Sequence, residues 1–392
     1  MSQKVVYLFG AGINRGLMDR DGIVPPLATD LFVQAMKFPR LSHENYVRKI
    51  EPVFEYIKKY WKLDRKDLST NHFDLEACYT LLELQLNEAK SHGSHKDTIK
   101  LQDIILKLTI LFAETLQEFE YSAHNSDAFQ ELGKIIYSEN ADVLTFNYDT
   151  LIESTIESAS LVLGRIPPGY RGGPHESGEI SEDEIRYSHF NWNRPLGYGV
   201  KFDEVMLHRA GVPTYVEGER FYNTHSEGLY NNVILKLHGS LNWFVYSGVN
   251  RYAFTNKTDV SNKGKTLLSR GHWWFNEPAV KDGEIIEPLI ITPTLYKNYS
   301  GNVLISSVWE QAKKLLDGCN RLVIGGYSFP PTDFAVRKLF LEAFESHSPD
   351  EIIVINPDTS VVRAIKDLSH FDKPILVCED LDEFVKLYRN EN

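Results

Sequence analysis

Residues 142–153 read Asp-Val-Leu-Thr-Phe-Asn-Tyr-Asp-Thr-Leu-Ile-Glu and decide the fold class. Residues 143–146 are apolar and rich in strand formers, so they predict a short buried strand. A helical pattern begins at Thr150. Asn147 and Asp149 therefore follow the end of a strand, where open α/β sheets bind their ligands. Either side chain fits equally well as a cap of the helix that follows.

A histidine follows a second apolar strand. Residues 233–237 run directly into His238-Gly239-Ser240, which places a titratable ring beside an open backbone. Alone, this residue fits a core histidine. Together with Asn147 and a glycine turn near the amino terminus, it indicates a functional site.

That glycine turn comes directly after the first predicted strand, residues 5–9. Gly10-Ala11-Gly12 follows, and glycines at this position let backbone N–H groups approach a phosphate. The glycines at 10, 12 and 16 do not keep the full GxGxxG spacing, so a plain tight turn fits as well. Arg15 either meets a phosphate or is a solvated turn residue.

The carboxyl-terminal part continues the alternation of strands and helices. Strands are predicted at 288–293, 321–324, 352–355 and 375–377, with helices between and after them. Two strand ends carry polar or small residues, which are Gly325-Gly326-Tyr327-Ser328 and Asn356-Pro357-Asp358. The sequence thus predicts an α/β fold, a Rossmann-like parallel sheet with helices on both faces and its strand ends on one rim.

The chain is predicted to be one domain, residues 1–392, with three additions. Apolar residues at helical spacing predict a helical insertion over 28–137, which caps the site or makes oligomer contacts. Residues 165–232 predict an irregular lobe of long loops with a few short strands. Aromatic alternation over 243–286 predicts hairpins. The carboxylates of residues 73–76 either face the cleft or complement a helix dipole.

Composition excludes several classes of protein. The 392 residues are 42% hydrophobic and 24% charged, as in a soluble globular protein, and the net charge of -12 argues against a broad nucleic-acid-binding surface. The three cysteines form no CxxC pair, so neither a zinc ribbon nor a disulfide framework is predicted. The missing disulfide framework fits a reducing cytoplasm. No metal site, signal peptide or membrane span is expected.

Five motifs, taken in order, resemble the NAD-binding motifs of the sirtuin superfamily. They are Gly10-Ala11-Gly12, Thr145 to Asp149, Leu237-His238-Gly239, Gly325 to Ser328, and Asn356-Pro357-Asp358. The forms Asn147-Tyr148-Asp149 and Lys236 to Trp243 resemble the bacterial sirtuin-like branch, which is associated with antiphage defence and NAD hydrolysis. Sirtuin deacylases carry a four-cysteine zinc module that this chain cannot build.

The resemblance implies an NAD+ glycohydrolase that cleaves the nicotinamide–ribose bond, with NAD as substrate and without zinc. Asn147 would orient the ribose or the attacking water, and His238 would act as general base. Asp149 would hold the ribose or the loop. The residues expected to hold the cofactor are Gly10, Ala11, Gly12, Arg15, Gly325, Ser328, Asn356 and Asp358.

The resemblance also implies partners. A stand-alone chain of this size is similar to members that work beside a HerA-type ring ATPase, and a homo-oligomer is expected. Nucleic acid would be reached only through that complex. A protein deacylase, a non-catalytic NAD- or ADP-ribose-binding subunit, and a nuclease subunit are the competing hypotheses.

Overall fold

A computed structural model describes most of the chain. The described residues are 4–17, 22–122, 126–163, 192–209, 212–223, 232–249, 262–269, 279–281, 284–294, 297, 299, 301–330 and 333–391. Much of the predicted lobe at 165–232 lies outside these ranges. The aromatic residues at 252 and 273–275 of the predicted hairpins lie outside them as well.

The strands form two sheets. In chain order they are β1 (Val5–Phe9), β2 (Asp142–Thr145), β3 (Glu204–Arg209), β4 (Val212–Glu217), β5 (Ile234–Lys236), β6 (Gly239–Val249), β7 (Thr266–Ser269), β8 (Ala279–Lys281), β9 (Glu284–Ile290), β10 (Arg321–Gly325), β11 (Glu351–Ile355) and β12 (Leu376–Cys378).

Helices flank the sheets and build the insertion. In chain order they are α1 (Leu31–Ala35), α2 (Pro39–Ser42), α3 (Glu44–Trp61), α4 (Arg65–Leu68), α5 (Leu75–Ser91), α6 (His95–Ser122), α7 (Asp127–Glu139), α8 (Leu151–Leu163), α9 (Arg194–Gly197), α10 (Gly218–Asn223), α11 (Val303–Asp317), α12 (Phe334–Ala343), α13 (Val361–Ser369) and α14 (Leu381–Glu391). A 3-10 turn, Ala11–Gly16, follows β1.

The first sheet is parallel, with the strand order β12-β11-β10-β1-β2-β5. The chain starts in the middle, adds β2 and β5 on one side, and then crosses over to add β10, β11 and β12 on the other. This is the strand order of a doubly wound dinucleotide-binding fold, and its switch point lies between β1 and β10. The predicted Rossmann-like fold class is confirmed.

The apolar composition of these strands explains their place in the core. All five residues of β1 are at most 5% exposed, because the strand is covered on both faces. Parallel strands buried in this way read as continuous apolar runs. The register sets Phe9 beside Thr145 on one side and Gly325 on the other, so the three strands end at the same level.

The insertion consists of α1 to α7, from Leu31 to Glu139. The long helix α6 packs against α3 and α5, and α7 packs against α8 and α14. The start of α5 is stabilised by Asp74, whose side chain accepts a hydrogen bond from the amide of Ala77 at 2.9 Å. Through α7, the insertion packs against α8 and α14, which lie outside it.

A second six-stranded sheet has the order β4-β3-β7-β6-β9-β8 and is antiparallel except between β3 and β7. It joins parts of the chain predicted only as a lobe and as hairpins. The predicted strand at 288–293 belongs here, as β9, and it ends at Ile290. Strand β6 begins at Gly239, so the chain leaves the first sheet and enters the second at His238.

Candidate functional site

All six strands of the parallel sheet end at one cavity of about 750 Å³. Residues after β1, β2, β5, β10, β11 and β12 line it, and helices of the insertion close its other side. This is the crevice at the carboxyl ends of the strands, beside the topological switch point, where open α/β sheets bind ligands. Its volume is that of a typical small-molecule site.

Two glycine turns meet at the switch point. The amide of Gly10 donates to the carbonyl of Gly325 at 3.0 Å, and the amide of Gly12 donates to Gly326 at 2.9 Å. Gly326 has a φ of +61°, and a Cβ placed there would lie 1.8 Å from the amide nitrogen of Ile13. The sequence predicted glycines that admit a phosphate. In the structure, the glycines lack the side chains that would keep these two turns apart.

Asn147 lines the cavity just after β2 and is 8% exposed. Its backbone amide donates to Oγ1 of Thr145 at 3.1 Å. No donor among the described residues reaches its Oδ1, although that atom is buried. Buried acceptors are almost always paired, so an unpaired one at a cavity wall marks a position where a ligand or water can bind.

Asp149 caps the helix that follows, which is one of the two roles left open by the sequence. Its Oδ1 accepts from the amide of Leu151 at 3.2 Å, which stabilises the start of α8, and its Oδ2 accepts from Nδ2 of Asn14 at 2.9 Å. The residue also lines the cavity. Burial raises the pKa of its carboxyl to about 7, although the nearby Lys236 ammonium acts in the opposite direction.

A buried ion pair supports the backbone of Asp149. Lys236 Nζ lies 2.9 Å from Glu153 Oε1, and both side chains are 0% exposed. Lys236 also donates to the backbone carbonyl of Asp149, and Tyr198 donates its hydroxyl to Glu153 at 3.0 Å. These buried contacts therefore hold the polar loop after β2 in place, a role that no sequence motif predicted.

His238 lies between aromatic rings at the edge of the cavity and is 6% exposed. The ring centroids of Phe146, Tyr148 and Tyr299 lie 5.1, 5.8 and 6.0 Å from its own. Burial, and next the positive charge of Lys297, lower the pKa of the imidazole to about 3. The ring is therefore neutral at physiological pH, which is the state of a proton acceptor.

A charged cluster beside His238 was not anticipated. Asp333 accepts hydrogen bonds from the hydroxyls of Tyr327 at 2.8 Å and Tyr299 at 3.3 Å, and Lys297 Nζ lies 3.5 Å from it. Asp333, Lys297 and Tyr327 line the cavity. Lys297 and Tyr299 follow β9 in a stretch without any motif. Only the position of Asp333 just before a predicted helix offered a signal.

The insertion contributes one acidic and several apolar groups to the cavity. Glu76 lines it, whereas Asp74 caps α5, so the carboxylates of residues 73–76 divide between the two roles considered. Burial raises the pKa of Glu76. The apolar side chains come from α6 and α7 and are Phe112, Leu116, Phe119 and Phe129.

The remaining predicted cofactor residues divide into two groups. The residues that line the cavity are Gly10, Ala11, Gly12, Arg15, Ser328 and Asn356. The two that do not are Gly325, which is buried in β10, and the exposed Asp358, whose carboxylate accepts from the amide of Ser360 at 2.9 Å.

Arg15 makes contacts within the protein. Its guanidinium forms a 3.0 Å ion pair with Asp30 and donates to the carbonyl of Pro25 at 3.0 Å. It therefore fastens the loop at residues 22–30 to the glycine turn, while its side chain is still 36% exposed. Neither of the two roles predicted for it, phosphate contact or solvated turn residue, included this bridge.

The described residues show no metal centre. Among them, no group of three or more His, Cys, Asp or Glu side chains could hold a metal ion. Cys78, Cys319 and Cys378 are buried and unpaired. Within the same part of the chain, no helix combines the length and apolarity needed to cross a membrane.

No family model and no curated protein matches this chain. Solved structures similar to it include a Sir2 homolog–NAD complex, at 14% identity and a TM-score of 0.43, covering 99% of this chain and 90% of that one. A mutant Sir2 homologue in complex with 2′-O-acetyl ADP ribose is 14% identical, with a TM-score of 0.42, and the match covers 99% of this chain and 92% of that one. A complex of Sir2 with the inhibitor EX-527, 2′-O-acetyl-ADP-ribose and a deacetylated p53 peptide is 12% identical, with a TM-score of 0.36, and the match covers 99% of this chain and 93% of that one.

Proposed function

We propose that this protein is an NAD+ glycohydrolase. The observation that carries the proposal is that Asn147, with its unpaired buried Oδ1, and His238, with its neutral imidazole, line the same cavity at the switch point of a doubly wound sheet. Dinucleotides bind at this position in such sheets. The ordered resemblance of five motifs to the sirtuin superfamily supports the same substrate.

Cleavage of the nicotinamide–ribose bond places positive charge on the ribose. Because nicotinamide leaves as a neutral molecule, the protein mainly has to position the reactants and stabilise that charge. The Asn147 carbonyl oxygen is an acceptor for a ribose hydroxyl or for the attacking water. His238 accepts the proton that the water or hydroxyl loses. Asp149, fixed by Asn14 and Lys236, supports the loop that carries Asn147.

The rest of the cavity suits the other parts of the cofactor. The paired turns at Gly10-Ala11-Gly12 and Gly326 form the wall nearest the switch point, where we place the pyrophosphate. Ser328 and Asn356 follow β10 and β11, and we assign them to the adenosine half. Asp358 and Gly325 act indirectly in this assignment, through the loop and the strand that they stabilise.

The test is direct. Purified protein is incubated with NAD+, and nicotinamide and ADP-ribose are quantified by chromatography. Release of nicotinamide without an acyl-peptide supports hydrolysis, and Asn147→Ala and His238→Ala should each abolish it. The exposed residues Asn71 and His347 provide matched controls, because Asn71→Ala and His347→Ala change the same residue types outside the cavity.

Binding of ADP-ribose, measured by calorimetry, separates the hypotheses. If the wild-type protein binds ADP-ribose but releases no nicotinamide, alone or with the product of a neighbouring gene, the non-catalytic binding subunit replaces the enzyme. Full activity in either site variant removes the roles assigned to Asn147 and His238.

We further propose a role in antiphage defence, in a homo-oligomer that works with a HerA-type ring ATPase. The support is the resemblance of Asn147-Tyr148-Asp149 and Lys236 to Trp243 to the defence branch of the superfamily. Co-expression with a HerA-type ATPase, followed by size-exclusion chromatography with light scattering and by phage challenge, tests it. A chain that remains monomeric and gives no protection would contradict this part of the proposal.

A further inference from the structure

The environment of His238 contains a chain of contacts that ends at a carboxylate. The hydroxyl oxygen of Tyr299 lies 3.5 Å from Nε2 of His238, and the two rings are stacked at an interplanar angle of 28°. The same hydroxyl donates to Oδ1 of Asp333 at 3.3 Å. Oδ2 of Asp333 accepts from Tyr327 at 2.8 Å, which fixes the orientation of the carboxylate.

The charges around the ring explain why such a chain is needed. A base that takes up a proton becomes an imidazolium, and its burial among aromatic rings disfavours that charge. Lys297 disfavours it further, whereas Asp333 favours it. Asp333 is 4% exposed, so its interaction with the ring is weakly screened by solvent.

The backbone of Phe146 also favours the protonated ring through a hydrogen bond but carries no charge, and the other side chains near the ring do not replace Asp333. Tyr148 donates its hydroxyl to the carbonyl of Ile291 at 2.7 Å, so its proton is already directed away from the imidazole. Glu76 of the insertion interacts electrostatically with Tyr299 and Asp333, and it does not contribute to the shift at His238. Among the described residues, Asp333 is thus the anion linked to the ring through a hydroxyl.

We infer that Tyr299 and Asp333 are positioning residues for the proposed base His238, with Asp333 stabilising the imidazolium through the Tyr299 hydroxyl. This inference rests on the proposed function. When the C1′–N bond breaks, its electron pair stays on nicotinamide. The water oxygen then bonds to C1′ and its proton passes to His238, which later releases it to solvent. Tyr299 keeps its own proton and donates it in a hydrogen bond to Asp333 throughout, and no oxidant or reductant is required.

The kinetic test compares Asp333→Asn, Asp333→Glu and Tyr299→Phe with the exposed control Asp367→Asn. We expect Asp333→Asn to lower kcat for nicotinamide release at least tenfold, with KM for NAD+ changed less than threefold. The acidic limb of its pH–rate profile should move to lower pH, because the imidazolium loses its carboxylate. Tyr299→Phe should also lower kcat and move the acidic limb to lower pH. Asp333→Glu should retain more of the wild-type kcat than Asp333→Asn.

A readout independent of activity separates this inference from the proposed function. Nitrogen NMR of histidine-labelled protein, with the His238 signal assigned by its loss in His238→Gln, should show a changed Nε2 shift in Tyr299→Phe and in Asp333→Asn. Thermal melts confirm that both variants fold. If the two variants change the Nε2 signal but the wild-type protein releases no nicotinamide, the proposed enzyme is rejected and the coupling of Asp333 to His238 is kept. Unchanged shifts, or wild-type kcat and pH profile in Asp333→Asn, would overturn the inference.

Discussion

Replacing Asn147 by alanine should separate activity from stability. An unpaired buried acceptor costs about 1–3 kcal/mol of stability, because it has lost its water without gaining a donor. Asn147 Oδ1 is such an atom among the described residues. Removing it recovers that cost, and the small void that remains offsets part of the gain. We therefore expect the free energy of unfolding of Asn147→Ala to be unchanged or higher by up to about 2 kcal/mol.

Asn242 supplies the matched control for stability. It is also buried, but its Nδ2 donates to the hydroxyl of Tyr198 at 3.0 Å and to the carbonyl of Ser269 at 3.1 Å. Asn242→Ala removes both of these buried hydrogen bonds, at about 0.5–1.5 kcal/mol for each, and leaves a small void. The same substitution should therefore destabilise the protein at Asn242 and not at Asn147.

Nicotinamide release, in contrast to stability, should be lowered in Asn147→Ala. Loss of a single preorganised polar group that acts in a transition state typically lowers kcat by about 10²–10³-fold. We expect a loss of this size or larger in Asn147→Ala, measured as nicotinamide release at saturating NAD+. Urea denaturation followed by circular dichroism gives the stability of both variants. If Asn147→Ala is destabilised as much as Asn242→Ala, or retains its activity, the assignment of Oδ1 to a ligand is wrong.

Three further predictions follow from the contacts around the cavity. Lys236→Met leaves Glu153 buried without its cation and should lower the free energy of unfolding by about 3–5 kcal/mol in urea melts, and Lys236→Met combined with Glu153→Leu should recover most of that loss. Gly326→Ala places a Cβ against the backbone of Ile13 at a positive φ, so it should destabilise the protein and weaken ADP-ribose binding in calorimetry at least tenfold, whereas wild-type affinity would show that the turns can separate. Asp149 has a folded-state pKa of about 7 against about 3.9 in an unfolded chain. The folded state therefore binds the extra proton, and the contribution of Asp149 to stability is present below about pH 4 and is lost as pH rises to about 7. The urea midpoint of Asp149→Asn should therefore fall less between about pH 4 and about pH 7 than that of the wild-type protein. An identical pH dependence in the variant would contradict this prediction.

The parallel sheet was predictable because its strands are continuous apolar runs whose ends carry polar or small residues. The switch point follows from the chain order of those strands only once their pairing is known. The second sheet was not predictable. Its strands come from separate segments, and β3 and β7 pair in parallel across a long stretch of sequence, which no local pattern records.

The cavity is lined by Asn147 and His238, which directly follow a predicted strand, and by Asp149, two residues beyond Asn147. That position is a local property, so the sequence could single them out. Asp358 also follows a strand, yet its carboxylate caps the next turn and does not line the cavity, because a residue three places beyond a strand end can turn either way. Local position predicts the rim of the sheet, not the direction of each side chain.

The sequence by itself determined the alternation of strands and helices and the polar residues at the strand ends, because both depend on short-range periodicity. Tertiary structure alone decided that Asp333 and Tyr299 lie beside His238, that Lys236 supports the loop of Asp149, and that the insertion closes the cavity. Those contacts join segments far apart in the chain, and their energies depend on burial. Burial is a property of the packed molecule rather than of any stretch of residues.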